Sequence, residues 1–218
     1  MSEEIKKEDN CPVCQGENCE CVKDERAPWM KIALEEYEKY KGINESKDPL
    51  KSRIEKVYHK EGGGITANSS VAWCASFVNW CLMQVGLNNW HSASSQAIIE
   101  NKNMKKIEEP VYGAIITMKN YVAKTGKEHF TGHSTFLFGE TEDKEFYIGL
   151  GGNQSNQLKF SKYRKTGISS SFTLKGVRYN QKFYGLYIPN DYDVKEIDKL
   201  TDEDICPNDL TEIDTTTR

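Results

Sequence analysis

The sequence predicts an α+β domain in which helices come first and an antiparallel sheet follows. Two observations predict it. Up to Gly86 the apolar residues recur at helical spacing. From Pro110 onward they gather in short runs of β-branched and aromatic residues separated by turn residues.

The elements follow in order. Pro28 suits the first position of a helix, and Trp29, Ile32, Ala33, Tyr37 and Tyr40 make one apolar stripe that Gly42 ends. A second amphipathic helix is expected over 48–60, with Leu50, Ile54, Val57 and Tyr58 inward and His59 on the charged surface. Gly62, Gly63 and Gly64 break it. The strongest helix signal comes next. Asn68, Ser69 and Ser70 offer N-caps, Gly86 offers a C-terminal stop, and Cys74, Phe77, Val78, Cys81, Leu82 and Val85 share one face. Ser92, Ser94 or Ser95 can cap a short helix ending at Ile99. Strands are expected over 113–118, 132–139 and 145–150, the last two paired as a hairpin. A polar, basic surface loop is expected over 120–130. Further strand-like runs cover 157–163 and 177–188.

Composition divides the chain into three parts. Residues 1–26 form a Cys-rich segment with a solvated linker, 27–190 the main domain, and 191–218 an acidic tail with little to bury except where Leu200 or Ile205 docks. The formal net charge of −4 gives no reason to propose nucleic-acid binding. No apolar run approaches bilayer length, so membrane insertion is not expected. The first ten residues lack the apolar core of a Sec signal. The expectation is a protein that stays in the cytoplasm or leaves by a route needing no such signal. Cys11, Cys14, Cys19 and Cys21 follow the pattern C-x2-C-x4-C-x-C. Four thiolates could hold a tetrahedral structural zinc. A disulfide knot and a loose reduced segment are the alternatives.

Cys74 is the candidate nucleophile. It falls in the first turn of its helix, where free N–H groups and the helix dipole favour a thiolate. The bland alternative is a small core residue, which is the reading given to Cys81 and Cys206. His133 opens a strand after Gly132 and is the candidate base. Asn153 follows the neighbouring strand and two glycines, where its amide oxygen could fix the imidazole tautomer. Gln154 is the alternative orienting group or a substrate contact, and Trp73 a second substrate contact. His91 is placed on the rim.

The stretches Pro28-Trp29-Met30, 73–81, Gly132-His133-Ser134 and Gly151-Gly152-Asn153-Gln154-Ser155 together resemble the CHAP and NlpC-type branch of papain-like cysteine peptidases. The resemblance spans about 27–188. It implies a papain-like α+β fold that cleaves amide bonds in peptidoglycan with no catalytic cofactor. Cys74 would be the nucleophile, His133 the base and Asn153 the third residue, acting on stem peptides. Some relatives carry an acidic residue at that third position. Joined to the missing Sec signal, it suggests a secreted antibacterial effector or lysin working in the periplasm or cell wall. An effector would have secretion machinery and an immunity protein as partners. Two other classes remain open. One is a transferase or deamidase using thioester chemistry on a protein, the other a metal-stabilised adaptor that only binds.

Overall fold

A computed structural model describes residues 26–206. Helix α1 spans Trp29–Tyr40. Helix α2 starts as an α-helix over Leu50–Arg53 and continues with π-helical bonding over Ile54–Gly62. Helix α3 spans Cys74–Gln84. The strands are β1 Met104–Ile107, β2 Ile115–Val122, β3 Glu128–Thr141, β4 Phe146–Gln154, β5 Gln157–Arg164, β6 Ser170–Leu174, β7 Val177–Pro189 and β8 Ile205–Cys206. The class is α+β, and the sheet is mostly antiparallel. Its path runs β1-β7-β2-β3-β4-β5, with β6 added on β7 and β8 added in parallel on β3.

The strands run longer than their apolar cores. The expected surface loop over 120–130 shrinks to a turn, because β2 continues to Val122 and β3 begins at Glu128. Cross-strand pairing carries these polar residues, since Tyr121 faces Glu128 in register. The short helix expected before Ile99 forms only turns, with Ile99 N–H donating to Gln96 O at 3.2 Å.

Helix α3 is central. Every residue from Cys74 to Leu82 is buried, not one face alone. On one side it meets the π-helical segment, where Tyr58 and Phe77 rings lie 5.4 Å apart. On the other it meets the sheet, with Phe77 and Phe136 rings 6.2 Å apart. Gly62 permits the first contact, since a Cβ there would lie 2.1 Å from Ser76 O. The sheet carries two apolar clusters. The larger joins Ile115, Phe136, Ile148 and Leu150 to the helices. The smaller joins Ile116, Met118, Leu137, Tyr147 and Tyr163 on the other face.

His59 is not on the surface. It is buried, with Nδ1 at 3.1 Å from Ser76 Oγ. Charged neighbours in sequence suggested exposure, but the π-helical bonding shifts the register and turns His59 toward α3.

Both ends of the main domain extend past the boundaries expected from composition. Arg26 is buried and its guanidinium meets Asp204 at 2.8 Å. Residues 191–206 dock against the sheet. Asp198 is fully buried, accepting from Ala27 N–H at 3.0 Å and Tyr192 Oη at 2.9 Å. Leu200 and Ile205 dock as expected, Leu200 on the core and Ile205 beside Glu140 of β3, but acidic composition hid the part played by the carboxylates, which bind inward groups rather than water. No helix among the described residues is long and apolar enough to cross a membrane.

Candidate active site

Trp73 occupies the N-cap of α3 and gives it no side-chain cap. The caps offered by Asn68, Ser69 and Ser70 lie too early. The N–H groups of the first turn are therefore left for other partners. Cys74 sits in this turn, 3% exposed. Burial raises its thiol pKa, while N–H groups of Ser134, Ala75 and Cys74 itself pull it down. Burial dominates, so the resting group is a thiol.

Ser134 ties this helix start to β3. Its N–H faces the Cys74 sulfur. Pairing between β3 and β4 begins only at Phe136↔Leu150, so β4 does not claim that N–H. The Ser134 hydroxyl donates to Ser95 O at 3.3 Å, which draws the turn after α3 across the site.

His133 precedes Ser134 and is 1% exposed. It pairs with Met118, a member of the smaller cluster, so its ring leaves β3 on the face away from α3. There it stacks on Tyr163 at 5.7 Å and 15°. The thiol and the imidazole thus approach the same short piece of strand from opposite faces. They share no hydrogen bond in this resting arrangement.

Gln154, not Asn153, meets the imidazole: Gln154 Oε1 lies 3.4 Å from His133 Nε2. The same oxygen accepts from Tyr163 Oη at 2.6 Å. Gln154 Nε2 donates to Gly149 O at 3.2 Å and also to Lys159 O. Two carbonyl acceptors fix which end of the amide is nitrogen. Oε1 can only accept, so Nε2 of His133 carries the proton and Nδ1 keeps a lone pair. Burial lowers the His133 pKa to about 4, and the Gln154 bond opposes this only in part. The imidazole is neutral at pH 7.

The reason for the exchange of roles is a bulge. Asn153 adopts φ +59°, and the β4–β5 register shifts between Gly151 and Gln154. An inserted residue re-aims the next side chain. The segment expected to be a loop is the end of β4, and Ser155 and Asn156, both at positive φ, make the two-residue hairpin turn.

Trp73 is fully buried and has no surface for a substrate. Its Nε1 donates to Glu45 Oε2 at 2.9 Å, and its ring stacks on Tyr58 at 5.9 Å. Gly152 lies flat on the indole, since a Cβ there would sit 2.2 Å from the ring. Gln154 is fully buried as well and offers no surface to a substrate. His91 is exposed beside Gly64, on the loop after α3. Cys81 is buried in mid-helix, and its thiol pKa is pushed well up by burial and by Glu36.

Sequence reasoning missed Tyr163 and Ser134. The register carried a signal for Tyr163, because the tight hairpin pairs it with Tyr147 on the face that His133 shares. Among the described residues no three His, Cys, Asp or Glu side chains are grouped to hold a metal ion. Cys11, Cys14, Cys19 and Cys21, and any zinc they hold, lie outside the described residues.

Compared with protein-family models, curated proteins and solved structures, the chain matches none.

Proposed function

We propose that the chain is a papain-like cysteine hydrolase that cleaves amide bonds in bacterial peptidoglycan, with Cys74 as nucleophile, His133 as base and Gln154 as the orienting residue. One observation carries this reading. The Cys74 thiol at a helix start and the neutral, Gln154-held His133 converge on one two-residue piece of β3.

The chemistry follows from the protonation states. His133 Nδ1 takes the thiol proton as Sγ attacks the substrate carbonyl carbon. Backbone N–H groups at the start of α3 stabilise the developing oxyanion. Imidazolium then gives its proton to the leaving nitrogen, the amine departs, and a thioester remains. Water, deprotonated at Nδ1, releases the acid and restores the thiol. Catalytic hydrogen bonds are often long in free enzymes and tighten in the substrate complex. Here the Nδ1–Sγ contact must form at that stage. The stretch of β3 before Phe136 is held by β2 on one edge only, since its ladder to β4 begins at Phe136, and that free edge supports such an adjustment.

The test is digestion of purified sacculi by the wild type and by Cys74→Ser, followed by mass analysis of the released fragments. New amine and carboxyl ends from the wild type alone support the reading and name the bond. Intact sacculi with the wild type overturn it. Turnover of a protein glutamine instead would favour the deamidase or transferase class.

A further inference from the structure

Charge is spread unevenly along the chain. From Phe146 to Asn190 there are seven Lys and Arg and no Asp or Glu, although the formal net charge of the whole is −4. Part of this basic stretch meets a second basic turn at one end of the sheet. Ala123 N–H donates to Arg178 O at 2.9 Å, so the β2–β3 turn and the β6–β7 turn stand side by side. The first carries Lys124 and Lys127, the second Lys175 and Arg178, and all four are exposed. Among the described residues none of the four makes an ion pair. Glu128 is the only carboxylate in 118–130 or 164–182, and Lys119 already holds it at 2.5 Å.

The β6–β7 turn also exposes aliphatic side chains. Leu174 and Val177 face each other across it on one side of the hairpin, 48% and 39% exposed. Between them Lys175 and Gly176 adopt φ of +49° and +79°, which makes a tight two-residue turn. Behind the pair the Phe172 and Tyr179 rings stack at 5.5 Å. The hairpin therefore ends in two apolar side chains, supported from behind and flanked by cations.

We propose that these two turns dock on an anionic lipid surface. Leu174 and Val177 enter the headgroup layer, and Lys124, Lys127, Lys175 and Arg178 meet lipid phosphates. A Lys or Arg held against an anionic leaflet strengthens binding roughly fivefold. Other occupants fit less well. A protein partner needs about 20–30 residues a side, whereas 123–127 and 174–178 offer only two turn tips. Fluid headgroups close around such tips without a matching shape. A nucleic acid would meet the cations but leave Leu174 and Val177 in water. A second copy would set cations against cations. The contact is peripheral and needs no spanning segment. Lys127 to His133 is six residues of strand, about 20 Å, so docking would hold His133 that far from the surface. Docking rests on the turns alone and not on the hydrolase reading.

The test mixes the full chain with vesicles of phosphatidylcholine, or of phosphatidylcholine and phosphatidylglycerol in equal parts, and reads the bound fraction by sedimentation. In about 0.1 M salt the mixed vesicles should bind at least ~10-fold tighter, and about 1 M salt should remove most of the difference. Lys175→Gln with Arg178→Gln should weaken binding to the mixed vesicles by ~10-fold or more. Leu174→Ser with Val177→Ser should weaken it several-fold. Lys47→Gln with Lys56→Gln removes the same charge around α2 and should change little. Urea midpoints check that each variant is folded; if the serine pair is not, the glutamine pair decides. Equal binding to both vesicles, no binding to either, or an equal loss from the α2 pair overturns docking at these turns. Full competition by a short DNA duplex, with binding unchanged in the folded serine pair, overturns the lipid in favour of nucleic acid. Selective vesicle binding with undigested sacculi leaves the docking turns standing and removes the hydrolase. Digested sacculi without vesicle binding do the reverse.

Discussion

Gln154 Oε1 accepts from Tyr163 Oη at 2.6 Å while lying 3.4 Å from His133 Nε2, so one carbonyl oxygen couples a phenol to the imidazole. The stack of His133 on Tyr163 fixes the ring plane. Orientation therefore comes from two residues of β4 and β5 together. Gln154→Ala should lower kcat by about 10-fold or more, short of the ~10²–10⁴-fold loss from His133→Ala. Tyr163→Phe removes the phenol but keeps the stack, and should cost less than Gln154→Ala. Steady-state kinetics on a soluble peptide substrate would rank the three. Near-normal kcat for Gln154→Ala would take that residue out of the site.

Asn153 has a different job. Its φ of +59° is a conformation that asparagine adopts more readily than most residues. Asn153→Gly should keep activity and stability close to wild type. Asn153→Val places a β-branched residue at positive φ and should destabilise by about 1–2 kcal/mol. Urea unfolding checks both. Loss of activity in folded Asn153→Gly would return the orienting role to the asparagine amide.

The thiols make a second comparison. Burial raises both Cys74 and Cys81, but only Cys74 has N–H groups of a helix start and of Ser134 acting against it. Cys74 is also 3% exposed against 0% for Cys81. Iodoacetamide should label Cys74 first, slowly at pH 7 and faster as pH rises. Peptide mapping at partial labelling reads the order, and label on Cys81 alone would count against the nucleophile.

The low pKa of His133 has a stability consequence. The unfolded imidazole titrates near 6.5, the folded one near 4. Between those values the unfolded chain binds the extra proton, so stability falls as pH drops from 6.5 toward 4. The full window corresponds to roughly 3 kcal/mol at 1.36 kcal/mol per unit. His59 is buried with its pKa lowered too, so it adds to the loss in the same direction. His133→Gln should flatten the His133 share. Urea midpoints at pH 7.5 and 4.5 for both proteins measure it, and identical pH dependence would refute the assignment. Catalysis should keep a working base well below pH 6.5, with its acid limb near 4.

Much of this was legible in the sequence, for particular physical reasons. The apolar spacing around Phe77 and Leu82 marked α3, and Gly86 marked its end with φ +72°. Runs such as 132–139 marked β3. What escaped depends on single-residue register. A bulge at Asn153 exchanges Asn153 for Gln154, and periodicity carries no trace of it. The π-helical segment turns His59 inward although its sequence neighbours are charged. Trp73 read as a substrate contact, yet Glu45 satisfies its N–H inside the core. Leu200 and Ile205 marked where the tail docks, but the burial of Asp198 and Asp204 was hidden, because a buried carboxylate and a solvated one look alike in composition.

Arg26 and Asp204 form the clasp that closes that last segment. Arg26 Nη1 meets Asp204 Oδ1 at 2.8 Å and Nη2 meets Oδ2 at 3.1 Å, a two-point pairing. The guanidinium also lies 4.2 Å over the Tyr112 ring and donates to Lys199 O at 3.3 Å. Asp204 has other support, from Thr201 N–H at 2.8 Å and Thr201 Oγ1 at 3.2 Å. Both charges are nearly buried, with side chains 4% and 9% exposed. Removing one partner of such a pair strands the other, which typically costs about 3–5 kcal/mol. Arg26→Met should fall at the lower end of that range, since Thr201 still holds Asp204. Replacing both, as Arg26→Met with Asp204→Leu, removes the stranded charge and should recover most of the loss. A double-mutant cycle in urea measures the coupling. A change below about 0.5 kcal/mol in Arg26→Met would mean that 191–206 unfolds separately from the sheet. The proposed catalytic set should be indifferent to the clasp, so kcat in folded Arg26→Met should match the wild type even as its urea midpoint drops.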